Sequence, residues 1–520
     1  MFFDAKTLPA NTDIGADICI IGAGAAGITL ARELADGKRR VVVFESGGFD
    51  FNHETQDLYD GRVVGQAFTP LAADRLRYLG GATNHWSGSC RPFDPIDFEQ
   101  RPYVRNSGWP FGREELDPYY RRAQSICQVG RFAYTAEGWA DPQAKTIDLG
   151  AEASLRTALY QYSPPTRFGE VYRQDLANGK DLTVYLNANL VDIETSEDAR
   201  EVTAVHLACL HGAKFRAHAK HYVLATGGIE NARILLNANK VQRSGLGNGA
   251  DLVGRFFMDH PLVEDVGSIL FNGRPVNIAL YEGLELQGQR VAGYLYAPAE
   301  VLEREEMPSF SIGLQRGELP NKDFAKPSLL AIWHAIKSGH WPDHLTFHIG
   351  RILRGLEWEI ESQFDRLLHR QQTVYSTVYV CECPPDPDSR VTLTDAVDPL
   401  GLHRVELDWR LPADFSKNVL RAHELLAQEL GRTGLGRVRI NLDEAEVKTA
   451  TINAHHHMGT TRMHSDPKQG VVDENCRIHG MANLYVAGSS VFPTYSFDDP
   501  TLTIVALALR LADRLKQALA

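Results

Sequence analysis

This 520-residue sequence lacks paired cysteines: its seven run singly from Cys19 to Cys476. That odd, scattered set excludes a disulfide framework and reads as reduced thiols. The closest pair, Cys381 and Cys383, has neither zinc-knuckle nor thioredoxin spacing, and no CxxCH run offers a haem attachment point. Any haem or iron–sulfur relay therefore belongs to another polypeptide. Excess positive charge is also missing. With 54 Lys and Arg against 66 Asp and Glu, the net charge is −12, which excludes the basic face that nucleic acid requires. No apolar run reaches the roughly 18 residues of a membrane span, and the opening Met1-Phe-Phe-Asp-Ala-Lys6 has no basic region followed by an apolar core. The expectation is a cytoplasmic chain whose partners are small molecules, unless a partner subunit carries it elsewhere. With 43% apolar and 23% charged residues, it has the composition of a folded protein with room for two or three cores.

Glycine, by contrast, sits where it is informative. The apolar run 18–21 leads into Gly22-Ala-Gly24-Ala-Ala-Gly27, and a helical stretch follows before Val41-Val-Val-Phe-Glu45. Gly22 and Gly24 let the backbone turn tightly and approach a pyrophosphate at a helix N-terminus, and Gly27 lets that helix pack on the strand. Glu45, about twenty residues on, suits a ribose 2′-hydroxyl and repels a 2′-phosphate. FAD or NAD fits this fingerprint, and NADP fits badly.

Two later segments repeat the strand–glycine–helix order: 222–228 leading into 230–236, and 484–490 ahead of a helix from about Thr501. They predict one dinucleotide domain assembled from separated stretches, 1–260 and 450–520. The β-branched and aromatic runs within 261–320 and 373–410, such as 373–380 and 390–394, predict an antiparallel sheet in a second domain, 261–449. Inside it, 327–362 shows apolar residues at helical spacing with Lys337, Arg351 and Arg354 exposed. A helical hairpin packed on the sheet accounts for it, as does a lid or a surface for a membrane or electron-accepting partner.

The C-terminal eighth carries 454–463, with three consecutive histidines before Met458-Gly459-Thr460, then 483–494 and Asp499-Pro-Thr-Leu-Thr-Ile504. With the fingerprint and Leu79-Gly-Gly-Ala-Thr-Asn-His-Trp86, these motifs resemble the glucose-methanol-choline (GMC) flavin oxidoreductases. The resemblance implies an α/β fold: a Rossmann-like FAD-binding domain from discontinuous segments, including a flavin-edge loop at 79–95, plus an α+β substrate domain whose antiparallel sheet roofs the flavin. It implies FAD as cofactor, held by Gly22, Gly24, Gly27, Glu45, Gly81, Thr83, Asn84, His85, Trp86, Gly488, Ser489, Pro500 and Thr501.

In that family an alcohol gives hydride to the flavin while a histidine takes the hydroxyl proton. The Gly-Thr at 459–460 places this histidine on His456, and an imidazole with an ordinary pKa near 6.5 suits the task. In an extended segment His455 and His457 point away from His456, and both read as structural. The loop at 80–86 is similar to that of the pyranose oxidases, whose corresponding histidine is bonded to the flavin; here that position is His85, and both covalent and purely packing roles stay open. The same likeness favours a carbohydrate or related secondary alcohol as substrate. Oxygen, a quinone or a protein acceptor all remain open, as does the oligomeric state. No metal is expected: His344 and His348 lack an HExxH context, and three histidines in a row make an awkward zinc site.

The resemblance puts the family's second catalytic position, usually Asn or His, on Asp499, and the residue is a departure. As an N-cap before Pro500 the exchange is mild. Chemically it is not, because an ionised carboxylate only accepts hydrogen bonds. Three readings follow: a protonated donor, a partner that raises the basicity of His456, or the mark of other chemistry such as that of a non-redox lyase of the same fold.

Overall fold

The apolar run at 18–21 lies in the strand Asp13–Ile21, at the centre of an eight-stranded sheet. Its neighbours are Asp36–Phe44 and Lys214–Leu224, both parallel to it. Helices cover both faces of such a strand, which is why Ile18 to Ile21 and Val41 to Phe44 are buried without alternation. Leu484–Val486 adds to Lys214–Leu224 in parallel, some 260 residues later in the chain. The registers Ile21↔Phe44, Ile21↔Leu224 and Leu224↔Val486 bring the carboxyl ends of four strands level. The glycine-rich segments that follow therefore share one edge, the crevice position of an open α/β sheet.

In this computed structural model the described residues are 1–272, 276–317 and 374–519, with five positions between 332 and 349. The stretch 327–362 is thus mostly outside the described residues, as are His344 and His348. Ile332, Trp333, Lys337, Leu345 and Ile349 are helical.

The second sheet is antiparallel throughout, in the order Gly436–Ile440, Pro261–Phe271, Val374–Cys381, Phe310–Gly317, Gln289–Tyr296, Arg156–Tyr162, Ser89–Cys90. The helix Phe415–Arg432 packs Val419, Ala422, Leu426 and Leu430 into its core. Two sequence expectations change. Arg156–Tyr162 and Ser89–Cys90, from the stretch assigned to the dinucleotide layer, join this second sheet. The run 390–397 leaves it and forms a three-stranded sheet with His403–Trp409 and, in parallel, Gly61–Gly65. Alternation alone identifies a strand but not its partner.

Candidate active site

A cavity of about 610 Å³ opens at the shared edge of the first sheet. Gly22, Gly24, Glu45, Gly488, Ser489, Pro500 and Thr501 all line it. The glycines divide by role. A Cβ on Gly22, at φ +98°, would meet the Ala225 carbonyl oxygen at 2.6 Å, and one on Gly27 would lie 2.0 Å from the Gly22 oxygen. Gly27 accordingly belongs to the face of the helix Ala25–Leu34 that packs on the turn at Gly22, away from the cavity. At Gly24, Gly227 and Gly488 a Cβ would enter open space instead, and all three line the cavity. Gly24 also caps that helix without a side-chain hydrogen bond, leaving N–H groups for an anion. This cradle fits the pyrophosphate of a dinucleotide.

Glu45 is buried and accepts hydrogen bonds from the backbone N–H of Ala23 at 2.8 Å and of Gly47 at 2.9 Å; burial pushes its pKa up. Beside it, Arg75, Arg77 and Arg233 surround the buried Glu230 at 3.6, 3.1 and 3.0 Å. Burial alone would raise the Glu230 pKa, but the three guanidinium groups hold it at about 2.

In the loop, Gly81, Thr83, His85 and Trp86 line the cavity. Asn84 does not: its amide donates to the Leu79 carbonyl at 2.9 Å and braces the turn. Trp86 donates from Nε1 to the Thr166 carbonyl at 2.9 Å. His85 is exposed at the cavity wall, and partial desolvation there, with His455 nearby, pulls its pKa down.

The three histidines split between two sides although the chain is not extended there, His455 standing in a bend at φ +65°. His455 Nδ1 and His457 Nε2 both bond the carboxylate of the fully buried Asp74. His456 points the other way: its Nε2 lies 3.6 Å from Asp499 Oδ1, and its Nδ1 lies 2.8 Å from Nδ1 of His260. Its backbone N–H donates to Asp259 Oδ1 at 2.8 Å. Burial, reinforced by His457 and His455, pulls the His456 pKa down to about 3. The imidazole is therefore neutral at pH 7.

Asp499 is not a helix cap. Pro500, already helical at φ −74° and ψ −16°, precedes the helix Thr501–Ala518, which has no side-chain cap hydrogen bond. The Asp499 carboxyl turns instead toward His456 and the side chain of Ser89. Burial raises its pKa, with His260 and Ser89 opposing.

Sequence reasoning missed His260, Asp74 and Asp259. His260 comes beside His456 because Met258 and Met458 exchange backbone hydrogen bonds at 3.0 and 2.9 Å, and Pro261 pairs with Asn453. A pairing between segments almost 200 residues apart leaves no local signal. Among the described residues, Asp94, Asp97 and Asp498 stand close enough to hold a cation, but Arg91 already bonds Asp94 and Asp498.

Residues 17–243 match the family model described as FAD dependent oxidoreductase, and residues 385–508 that described as GMC oxidoreductase. The fructose dehydrogenase large subunit of Gluconobacter japonicus is 23% identical, over 97% of this chain and 98% of its own length. The 2-methyl-1,2-propanediol dehydrogenase of Mycolicibacterium austroafricanum is 24% identical, over 96% and 94%. The pyridoxine 4-oxidase of Mesorbium loti has the same fold, at a TM-score of 0.59 and 18% identity, over 96% of this chain and 99% of its own.

Proposed function

Because the chain is a GMC oxidoreductase that carries an FAD-dependent oxidoreductase domain, we propose that it oxidises an alcohol, a carbohydrate or related secondary alcohol in particular, with His456 as proton acceptor. The observation that carries this reading is the His456–Asp499 pair. A neutral imidazole nitrogen and a carboxyl oxygen, 3.6 Å apart, face the cavity that runs back to Gly24 and Glu45. A substrate hydroxyl set between them lies within hydrogen-bond reach of both. FAD, when bound, supplies the two-electron acceptor for the hydride that leaves the carbinol carbon. The hydroxyl proton passes to His456, and the product is a ketone or lactone.

Gly22, Gly24, Glu45, Gly488, Ser489 and the segment at Pro500 and Thr501 hold the cofactor in this reading, with Gly81, Thr83, His85 and Trp86 along the flavin edge. Gly27 and Asn84 support these groups without facing the cavity. In this reading His85 is also the residue that would take a covalent bond to the flavin, against a purely packing role. Acid-precipitated protein keeps its colour if that bond forms and loses it if FAD is held by contacts alone.

The relatives named as sugar and diol dehydrogenases support the substrate class. That one of them is a large subunit supports a protein or quinone acceptor of electrons. The seven buried free thiols fit a reducing, cytoplasmic setting, and among the described residues no helix is long and apolar enough to cross a membrane.

The test is anaerobic mixing of the holoenzyme with sugars, polyols and aliphatic or aromatic alcohols. Bleaching of the oxidised flavin absorbance by one class supports the reading. Flavin that dithionite reduces but no alcohol does overturns it.

A further inference from the structure

We propose that His260 is a positioning residue that locks His456 in its Nδ1–H tautomer, so that the Nε2 lone pair faces the cavity; this rests on the reading of His456 as proton acceptor. His260 is fully buried, and its ring makes two polar contacts. Its Nε2 is 2.6 Å from the Ser496 carbonyl oxygen, and its Nδ1 is 2.8 Å from Nδ1 of His456. A carbonyl only accepts, so His260 must carry its proton on Nε2. Burial, with His456 adding to it, pulls the His260 pKa down to about 3, so the ring holds no second proton at neutral pH. Nδ1 of His260 is then a bare acceptor, and the proton between the two rings belongs to Nδ1 of His456. A neutral imidazole has one N–H, which leaves Nε2 of His456 unprotonated.

The consequence is mechanical as well as electronic. When Nε2 takes the hydroxyl proton, Nδ1–H still donates to His260, so proton arrival requires no ring rotation. The rings cross at 85° with centroids 5.0 Å apart, and Tyr495 packs edge-on against His260 at 4.7 Å. Both rings are thereby fixed. Ser496 lies three residues before Asp499, so one short segment sets the tautomer of His456 and also presents the carboxyl opposite it. An orienting acceptor behind a base is the device by which a triad aligns its histidine.

The test uses 15N-histidine-labelled holoenzyme, with the His456 signals assigned by their loss in His456→Ala. Wild type is expected to show a protonated Nδ1 and a bare Nε2 on His456. His260→Asn, whose Oδ1 replaces the acceptor, is expected to keep that pattern and most of the rate of flavin reduction by substrate. His260→Phe is expected to lose the pattern and to slow flavin reduction about 10²-fold or more at unchanged KM, with FAD retained. A wild-type His456 protonated on Nε2 overturns the proposal, as does a His260→Phe enzyme that reduces its flavin at the wild-type rate. If no alcohol reduces the wild-type flavin, the functional reading fails while the nitrogen signals still decide the tautomer. If His260→Phe does not fold, the wild-type signals and His260→Asn decide it.

Discussion

His456 Nε2 and Asp499 Oδ1 face each other across 3.6 Å at the cavity wall, with neither group bonded to the helix that begins at Thr501. Each alone is a common residue. Together they form a pair at the cavity wall to which we assign the proton transfer of the proposed reaction.

His456→Ala removes the proposed proton acceptor and leaves the cradle at Gly24, Gly227 and Gly488 intact. Flavin reduction by substrate is expected to fall by about 10²-fold or more, while FAD stays bound. Anaerobic stopped-flow absorbance checks the rate, and the spectrum of the purified variant checks the cofactor.

Asp499→Asn tests the carboxyl separately from the helix. Burial raises its pKa, so the folded chain binds that proton more tightly than the unfolded chain does. The ionised group then costs stability as the pH rises above the unfolded carboxylate range, and the amide removes that cost. The variant without cofactor is expected to melt above wild type at about pH 8 and level with it at about pH 3. Its rate of flavin reduction is expected to fall and to lose one limb of the wild-type pH profile.

Two glycine substitutions separate folding from cofactor binding. Gly27→Ala places a methyl 2.0 Å from the Gly22 oxygen and is expected to lower the melting temperature of the protein without FAD. Gly24→Ala puts its methyl into open space at an ordinary φ of −86°. It is expected to leave that melting temperature within about a degree, since no overpacking results, and to weaken FAD retention on dialysis.

Glu230→Gln leaves Arg75, Arg77 and Arg233 buried without their shared carboxylate. Breaking a buried ion cluster from one side costs about 3–5 kcal/mol, measurable by denaturant unfolding. Because the folded Glu230 pKa is held down at about 2, its contribution is complete above the unfolded carboxylate range and is lost as the pH falls through about 2. The gap between variant and wild type should close in the same direction.

The glycine fingerprint with Glu45 and the residue types of the C-terminal motifs were legible because each is a local device. A tight turn, a helix start and an alternating strand are set by neighbours within a few residues. His455 and His457 do separate from His456, but through a bend at His455, φ +65°, and not through the strand alternation expected of an extended segment. The same locality explains the failures. Asp499 before Pro500 looks like a cap, and only the fold turns its carboxyl to His456. The run 390–394 reads as a strand, yet the strand Arg390–Val397 that contains it has its partners outside the sheet expected for it.

The sequence by itself therefore determined the strands and glycine turns of the dinucleotide cradle and brought His456 and Asp499 forward as candidates, since backbone geometry and side-chain chemistry are properties of short segments. The tertiary structure alone decided which groups stand behind them. Asp74 joins His455 and His457 from 381 and 383 residues away, and His260 reaches His456 across 196. Those contacts depend on strand pairings such as Met258 with Met458, and long-range pairing is a property of the whole fold rather than of any local pattern.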